Sequence, residues 1–296
     1  MNISAGLAPD IQWWIKIFSD SNQTNAIRSG TPTREIFTDA SLSGWGAACG
    51  QNYTRGWWGE NERNNHINIL ELKAAYYSLK CFAADLNDCE ILLRIDNTTA
   101  IACINRLGSV QYPHLNEKAR KIWRWCEARN IFVFASYIAS INNTIADRES
   151  RVVSDDTEWS LSREAYSQIS SEYGPLDIDI FASIINAKCP MYVSWLPEPS
   201  SVAVDAFTLS WSGIKFYAFP PFILLPRVLR KILNEKAQGV VVVPWWPSQA
   251  WFPLFCSLLT KEPLIFPPSR HLLSTPFRDH HPAWRSLSLA AGSLSG

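Results

Sequence analysis

The chain carries no excess charge of either sign. Its 27 Lys and Arg balance 27 Asp and Glu over 296 residues, so no global basic field advertises nucleic acid and any such footprint has to be local. Paired cysteines are also missing. The seven Cys (Cys49, Cys81, Cys89, Cys103, Cys126, Cys189 and Cys256) are scattered, odd in number and without C-x-x-C spacing. This argues against structural zinc and a disulfide framework, and an intracellular location, cytoplasm or nucleus, is expected. The opening MNISAGLAPDIQWW has neither a charged start nor an apolar run, so no secretory signal is expected there. A long unbroken apolar stretch is absent as well. Residues 239–260 lack Asp, Glu, Lys and Arg and are long enough to span a bilayer. Pro244, Pro247 and Pro253 break the stretch, however, and Ser248 and Gln249 sit inside it. A buried strand over 240–243 followed by an irregular aromatic loop is expected, with no membrane partner.

What is present is core material. Apolar residues make up 47% and charged residues 18%, enough for packed cores, and the length suggests about two domains. The 14 Trp are expected mainly in the core. Residues 9–20 have the spacing of a short amphipathic helix, and the polar segment 21–34 that of a linker. Strands are expected at 34–39, 45–49, 54–58, 91–96 and 131–138. The first three form a meander, and the very apolar fifth is expected at the centre of the sheet. Leu72, Ala75, Tyr76, Leu79, Phe82, Ala83 and Leu86 define an amphipathic helix that Asn68 can cap. Helices are expected at 97–107, 113–129 and 158–173. The fold class is therefore α/β, a mixed five-stranded sheet with flanking helices over 34–170. A smaller α/β unit is expected over 174–260 and an irregular tail over 261–296.

Four acids stand in apolar contexts or at the ends of apolar runs: Asp39 in IFTDAS, Glu71 in NILELKAA, Asp96 in LLRIDNTTA and Asp147 in NTIADRESR. Burying carboxylates without partners is strongly unfavourable, and converging carboxylates repel one another. A hard divalent cation removes both objections. If the first and fourth strands are parallel neighbours, Asp39 and Asp96 leave the same sheet edge. Glu71 then comes from a packed helix and Asp147 from a loop just after the fifth strand.

In order and context these four motifs resemble type 1 ribonuclease H. The segment N-x-x-A-D-x-x-S-R at 143–151 resembles the end of that domain in retrotransposon polyproteins. PDIQWWIKIF resembles the connection between reverse transcriptase and ribonuclease H in DIRS-type retroelements. The resemblance covers about residues 9–152 and makes residues 1–33 a tether from a reverse transcriptase domain. It implies two Mg²⁺ ions (or Mn²⁺), about 3.5–4 Å apart, clamping the scissile phosphate of the RNA strand of an RNA–DNA hybrid. One ion activates a water for in-line attack, and the other stabilises the leaving 3′ oxygen. Asp39 would bridge the ions, with Glu71 and Asp96 on the nucleophile side and Asp147 on the other. Ser41, Asn97 and Thr98 are candidates for 2′-hydroxyl contacts. The basic face of the 113–129 helix, with Lys118, Lys121 and Arg124, could hold phosphates. One departure is that SYIASINNT, the loop before the last Asp, contains no His, which many ribonucleases H use in product release.

The second unit resembles, more weakly, a phage-type adenine-N6 DNA methyltransferase through DIDIFAS (177–183), NAKCPMY (186–192), DAF (205–207) and FPPF (219–222). In active enzymes of that kind an Asn or Asp precedes Pro-Pro. Phe219 stands there in this chain and can neither accept nor donate that hydrogen bond. Asp179 is the candidate for a cofactor ribose contact, without a Gly-rich loop to support it, and a degenerate domain is expected. His271, His280 and His281 are expected to be loop residues. Three functions follow: a hybrid-cleaving nuclease, a decayed nucleic-acid-binding or structural remnant, and an adenine methyltransferase.

Overall fold

The alternation of short apolar strands with amphipathic helices resolves, in a computed structural model describing residues 8–19, 30–152 and 159–296, into two packed α/β sheets. The expected linker at 21–34 lies largely outside the described residues. The first sheet contains β1 (Arg34–Ala40), β2 (Gly44–Cys49), β3 (Asn52–Trp57), β4 (Cys89–Ile95) and β5 (Ile131–Tyr137), in the order β3-β2-β1-β4-β5. The meander β1–β3 is antiparallel, whereas β4 and β5 run parallel to β1. This is the mixed five-stranded sheet expected from the sequence. Ser41 closes the first turn: its hydroxyl accepts the Ser43 and Gly44 N–H groups at 3.2 and 3.1 Å.

Helix α1 (Ala8–Ser19) precedes the sheet, and the Trp13 indole donates to Glu127 at 2.8 Å. A short α2 (Glu60–Arg63), α3 (Ile67–Phe82), α4 (Thr98–Asn105), α5 (Pro113–Glu127) and α6 (Thr144–Ser150) complete this unit. Leu70, Leu72 and Leu79 of α3 pack into one core with Ile36, Ile91 and Leu93. Each such burial stabilises by about 2 kcal/mol relative to exposure. Trp58 is fully buried and Trp57 nearly so, which makes both core residues.

Two local expectations fail here. His66, not Asn68, caps α3, its Nδ1 accepting the Asn68 N–H at 3.2 Å. The Asn68 side chain is used elsewhere, accepting from Asn97 at 3.0 Å. The fifth strand is an edge strand rather than a central one. Its apolar character arises because α4 and α5 cover it, with Phe132 lying beside Trp123 at 5.8 Å between ring centroids.

The second sheet has seven strands in the order β12 (Leu264–Phe266), β14 (Leu289–Ser295), β11 (Gln238–Pro244), β10 (Lys215–Ala218), β7 (Ile178–Asp179), β8 (Met191–Ser194) and β9 (Ala203–Val204). Its parallel strands are β7, β8, β9, β10 and β11. Two further strands, β6 (Ser160–Leu161) and β13 (Leu273–Ser274), pair with each other. Helix α7 (Arg163–Tyr173), assigned from sequence to the first unit, packs instead with Tyr217, Val240 and Val242 of the second. Helix α8 (Leu225–Glu235) crosses between β10 and β11.

The segment 261–296 is not irregular. It supplies β12 (Leu264–Phe266), β13 and β14 (Leu289–Ser295), and β14 pairs antiparallel along all of β11. Its LAAGSLS composition suggests a loop, but small side chains are what the position requires. A Cβ on Gly292 would come within 2.5 Å of Leu259 and 2.9 Å of Phe255. Residues 239–260 form β11, an aromatic turn and the seven-residue α9 (Phe252–Leu258). Among the described residues no helix is long and apolar enough to cross a membrane.

Candidate metal centre

The parallel pairing of β1 with β4 sets the geometry. Phe37 is level with Arg94, and the same register continued puts Asp39 level with Asp96, where both strands end. Helix α3 packs across these ends and presents Glu71 from its second turn. Asp39 and Glu71 are only 2% and 3% exposed, while Asp96 is half-buried. One carboxylate oxygen from each of the three lies within 4.8 Å of the others. The Asn68–Asn97 hydrogen bond ties the start of α3 to the cap of α4, so the carriers of Glu71 and Asp96 are fastened to each other.

Each acid has a holder. Ser150 donates to Asp39 Oδ2 at 2.6 Å and Ser140 to Asp96 Oδ2 at 2.6 Å. The Ala40 N–H donates to Glu71, whose Oε2 is buried with no hydrogen-bond partner. Burial, followed by the charges of Asp39 and Asp96, pushes Glu71 up to about 9. Burial also raises Asp39, to about 6; the Ser150 bond opposes the rise, and Asp96 and Asp147 add to it. A protein without a cation here would hold an orphaned buried oxygen and a carboxyl that stays protonated at neutral pH. A hard divalent ion supplies the missing partner and offsets the repulsion. The residues fit such an ion.

Asp147 lies on α6, not in a loop after β5. It is near enough for its charge to act on Asp39, but its Oδ1 accepts from Arg151 Nε and Nη2 at 2.9 and 2.7 Å. The 143–151 motif is legible residue by residue. Asn143 donates to the Thr38 carbonyl at 3.0 Å, anchoring α6 to β1. Ala146 packs on Gly46 so tightly that a Cβ on Gly46 would sit 2.2 Å from the Ala146 oxygen. Glu149, 4% exposed, pairs with Arg55 at 3.0 Å, and Ser150 and Arg151 hold Asp39 and Asp147. Nothing in sequence spacing assigns a role to Ser140, and Ser150 and Arg151 stand out there only as members of the 143–151 motif.

The other candidates fare unevenly. Ser41 is buried and donates to the Ser150 carbonyl at 2.6 Å, which commits it to the turn rather than to an outside partner. Asn97 caps α4 through its Oδ1 and donates to Asn68, while Thr98 beside it is exposed. On α5, Lys118 and Lys121 bond to Glu117 at 3.3 and 3.1 Å, which partly neutralises that face, and Arg124 is exposed. Asp179 is 2% exposed, with its oxygens accepting the Phe181 and Lys188 N–H groups at 3.3 and 3.1 Å. Burial raises it to about 7. It closes its own loop, beside the point between β7 and β10 where the strand order reverses, the usual place for a ligand crevice. A cavity of about 380 Å³ opens there, lined by Phe181, Ser183, Trp195 and Phe219 and roofed by Tyr53 and Arg55 of β3.

No protein-family model and no curated protein sequence matches the chain. Among solved structures it is similar to LC11-RNase H1 in complex with an RNA/DNA hybrid, with 23% identity over 40% of this chain and 93% of that one and a TM-score of 0.34. It is also similar to RNase H1 from the halophilic archaeon Halobacterium salinarum, with 18% identity, 39% and 92% coverage and a TM-score of 0.33. The prototype foamy virus protease-reverse transcriptase matches with 13% identity, 55% and 24% coverage and a TM-score of 0.27.

Proposed function

We propose that the first unit is a metal-dependent endonuclease that hydrolyses the RNA strand of an RNA–DNA hybrid. The observation that carries this reading is the convergence of Asp39, Glu71 and Asp96 with Glu71 Oε2 left unbonded. Asp39, Glu71 and Asp96 would hold one Mg²⁺ or Mn²⁺ ion, and Asp39 with Asp147 a second. When bound, such ions supply charge neutralisation and Lewis acidity for phosphodiester hydrolysis. The chain's own groups do the rest. Ser150 and Ser140 hold Asp39 and Asp96, and the packing of α3 on β1 keeps Glu71 from water. Thr98, which is exposed, is the candidate for a 2′-hydroxyl contact, and Arg124 the candidate for a phosphate contact.

In the retroelement setting implied by the resemblance, the reaction removes template RNA during reverse transcription, and a reverse transcriptase domain is the partner. The second unit contributes no methyl transfer on this reading, because Phe219 lacks the polar group that would hold a target amino group. The test is cleavage of an end-labelled RNA–DNA hybrid with Mg²⁺ by the native chain and by Asp39→Asn, beside a DNA duplex of the same sequence. The expected result is cutting of the RNA strand by the native chain alone. Equal cutting by both chains rejects the assigned site, and equal cutting of the DNA duplex rejects the hybrid specificity.

A further inference from the structure

The fourth carboxylate is adjacent to the cluster but engaged elsewhere. Asp147 and Arg151 are four residues apart on α6 and at its C-terminal cap, a spacing that places side chains on one face. Arg151 grips a single oxygen, Oδ1, through two nitrogens at 2.9 and 2.7 Å. Its side chain is 63% exposed and that of Asp147 32% exposed, so the pair stands at the mouth of the site. Ser150, between them in sequence, is bonded to Asp39, so α6 itself is fixed against the cluster. The guanidinium therefore has freedom to leave, while the backbone carrying Asp147 does not.

We infer that Arg151 is the resident cation of the fourth ligand position, and that a divalent ion reaches Asp147 only in exchange for it. This rests on the two-ion site proposed above. A guanidinium bonded to the same carboxylate as a divalent ion faces like-charge repulsion at contact distance. The site then fills in order: first the Asp39, Glu71 and Asp96 position, which has no resident cation among the described residues, and afterwards the Asp147 position. Exposed ion pairs of this kind are worth roughly two- to five-fold in an equilibrium constant, so the second ion binds more weakly by at least about that factor. Arg151 is a positioning residue on this account; it acts through Asp147.

The test is a Mn²⁺ titration of the full chain without nucleic acid, with free Mn²⁺ read by electron paramagnetic resonance. The native chain should show a tighter and a weaker site. Arg151→Ala should tighten the weaker site by roughly two- to five-fold and leave the tighter one unchanged, with Arg151→Lys intermediate. Asp147→Asn should lose the weaker site only. If the native chain shows one site, the inference requires a second to emerge in Arg151→Ala. A weaker site unchanged or weakened in Arg151→Ala overturns the inference and leaves the metal centre standing. Mn²⁺ binding that Asp39→Asn does not diminish overturns both. Near-ultraviolet circular dichroism checks that each variant is folded, and the charge-conserving Arg151→Lys keeps the comparison decisive if the alanine variant is not.

Discussion

Replacing Glu71 by Gln should make the metal-free protein more stable while removing its response to metal. Glu71 sits at about 9 in the folded chain against an ordinary 4.5, chiefly through burial and then through the charges of Asp39 and Asp96. The sign follows from linkage. Because the folded value lies above the unfolded one, the metal-free fold loses stability as pH rises above about 4.5 and stops losing it above about 9. At pH 7 the unfolded chain has gained about 2.5 pH units of ionisation that the folded chain has not. At about 1.4 kcal/mol per unit this is about 3 kcal/mol. Glutamine carries no such penalty. It can accept the Ala40 N–H as Glu71 does, and its amide can donate toward the neighbouring carboxylates. In thermal unfolding at pH 7 with a chelator, Glu71→Gln should melt roughly 5–10 °C above the native chain. Millimolar Mg²⁺ should raise the native midpoint and leave that of the variant in place. A variant less stable than the native chain in chelator would refute the electrostatic reasoning, because it would mean that the carboxylate is already compensated without a metal.

Further expectations concern the same cluster. Metal binding should release protons, because Glu71 and Asp39 are raised to about 9 and about 6. Apparent affinity should therefore rise with pH across that window, measurable by calorimetry in two buffers of different ionisation enthalpy. Ser150→Ala removes the hydroxyl that donates to Asp39 at 2.6 Å. It should raise the Asp39 pKa, cost about 1 kcal/mol in chemical denaturation, and shift the acid limb of any pH–rate profile upward. Gly46→Val should push α6 away from β2, since even a Cβ there lies 2.2 Å from the Ala146 oxygen and 2.5 Å from the Ser150 nitrogen. The expected loss is roughly 2–4 kcal/mol of stability together with metal binding, whereas valine at exposed Asn52 should leave metal binding intact.

Much of the first unit was legible because its signals are local and periodic. The meander, the α3 stripe and the acid at each strand end can be read from side-chain alternation alone. Asp39 and Asp96 could be paired because a parallel register brings equivalent strand ends together. What escaped was set by tertiary partners. Asn68 has the chemistry of a cap, but its side chain is drawn to Asn97 while His66 caps the helix. Strand β5 is as apolar as a central strand because helices cover it, although it lies at the sheet edge. Strand β14 is made of residues that normally mark loops, yet the tight contact of Gly292 with Phe255 and Leu259 turns small size into a requirement. Asp147 reads as a loop residue, because α6 is only seven residues long and is held by tight packing on Gly46 rather than by propensity. Its ion pair with Arg151 separates it from the three converged acids, a distinction that sequence spacing cannot make.

The central claim is that Asp39, Glu71 and Asp96 form a divalent-cation centre, and crystals grown with Mn²⁺ test it most directly through anomalous scattering. An anomalous peak bonded to oxygens of all three carboxylates is the expected result, with Glu71 Oε2 among the ligands and the peak lost in Asp39→Asn. A map with no peak between these carboxylates at saturating Mn²⁺, or with Mn²⁺ bound only elsewhere on the chain, would contradict it.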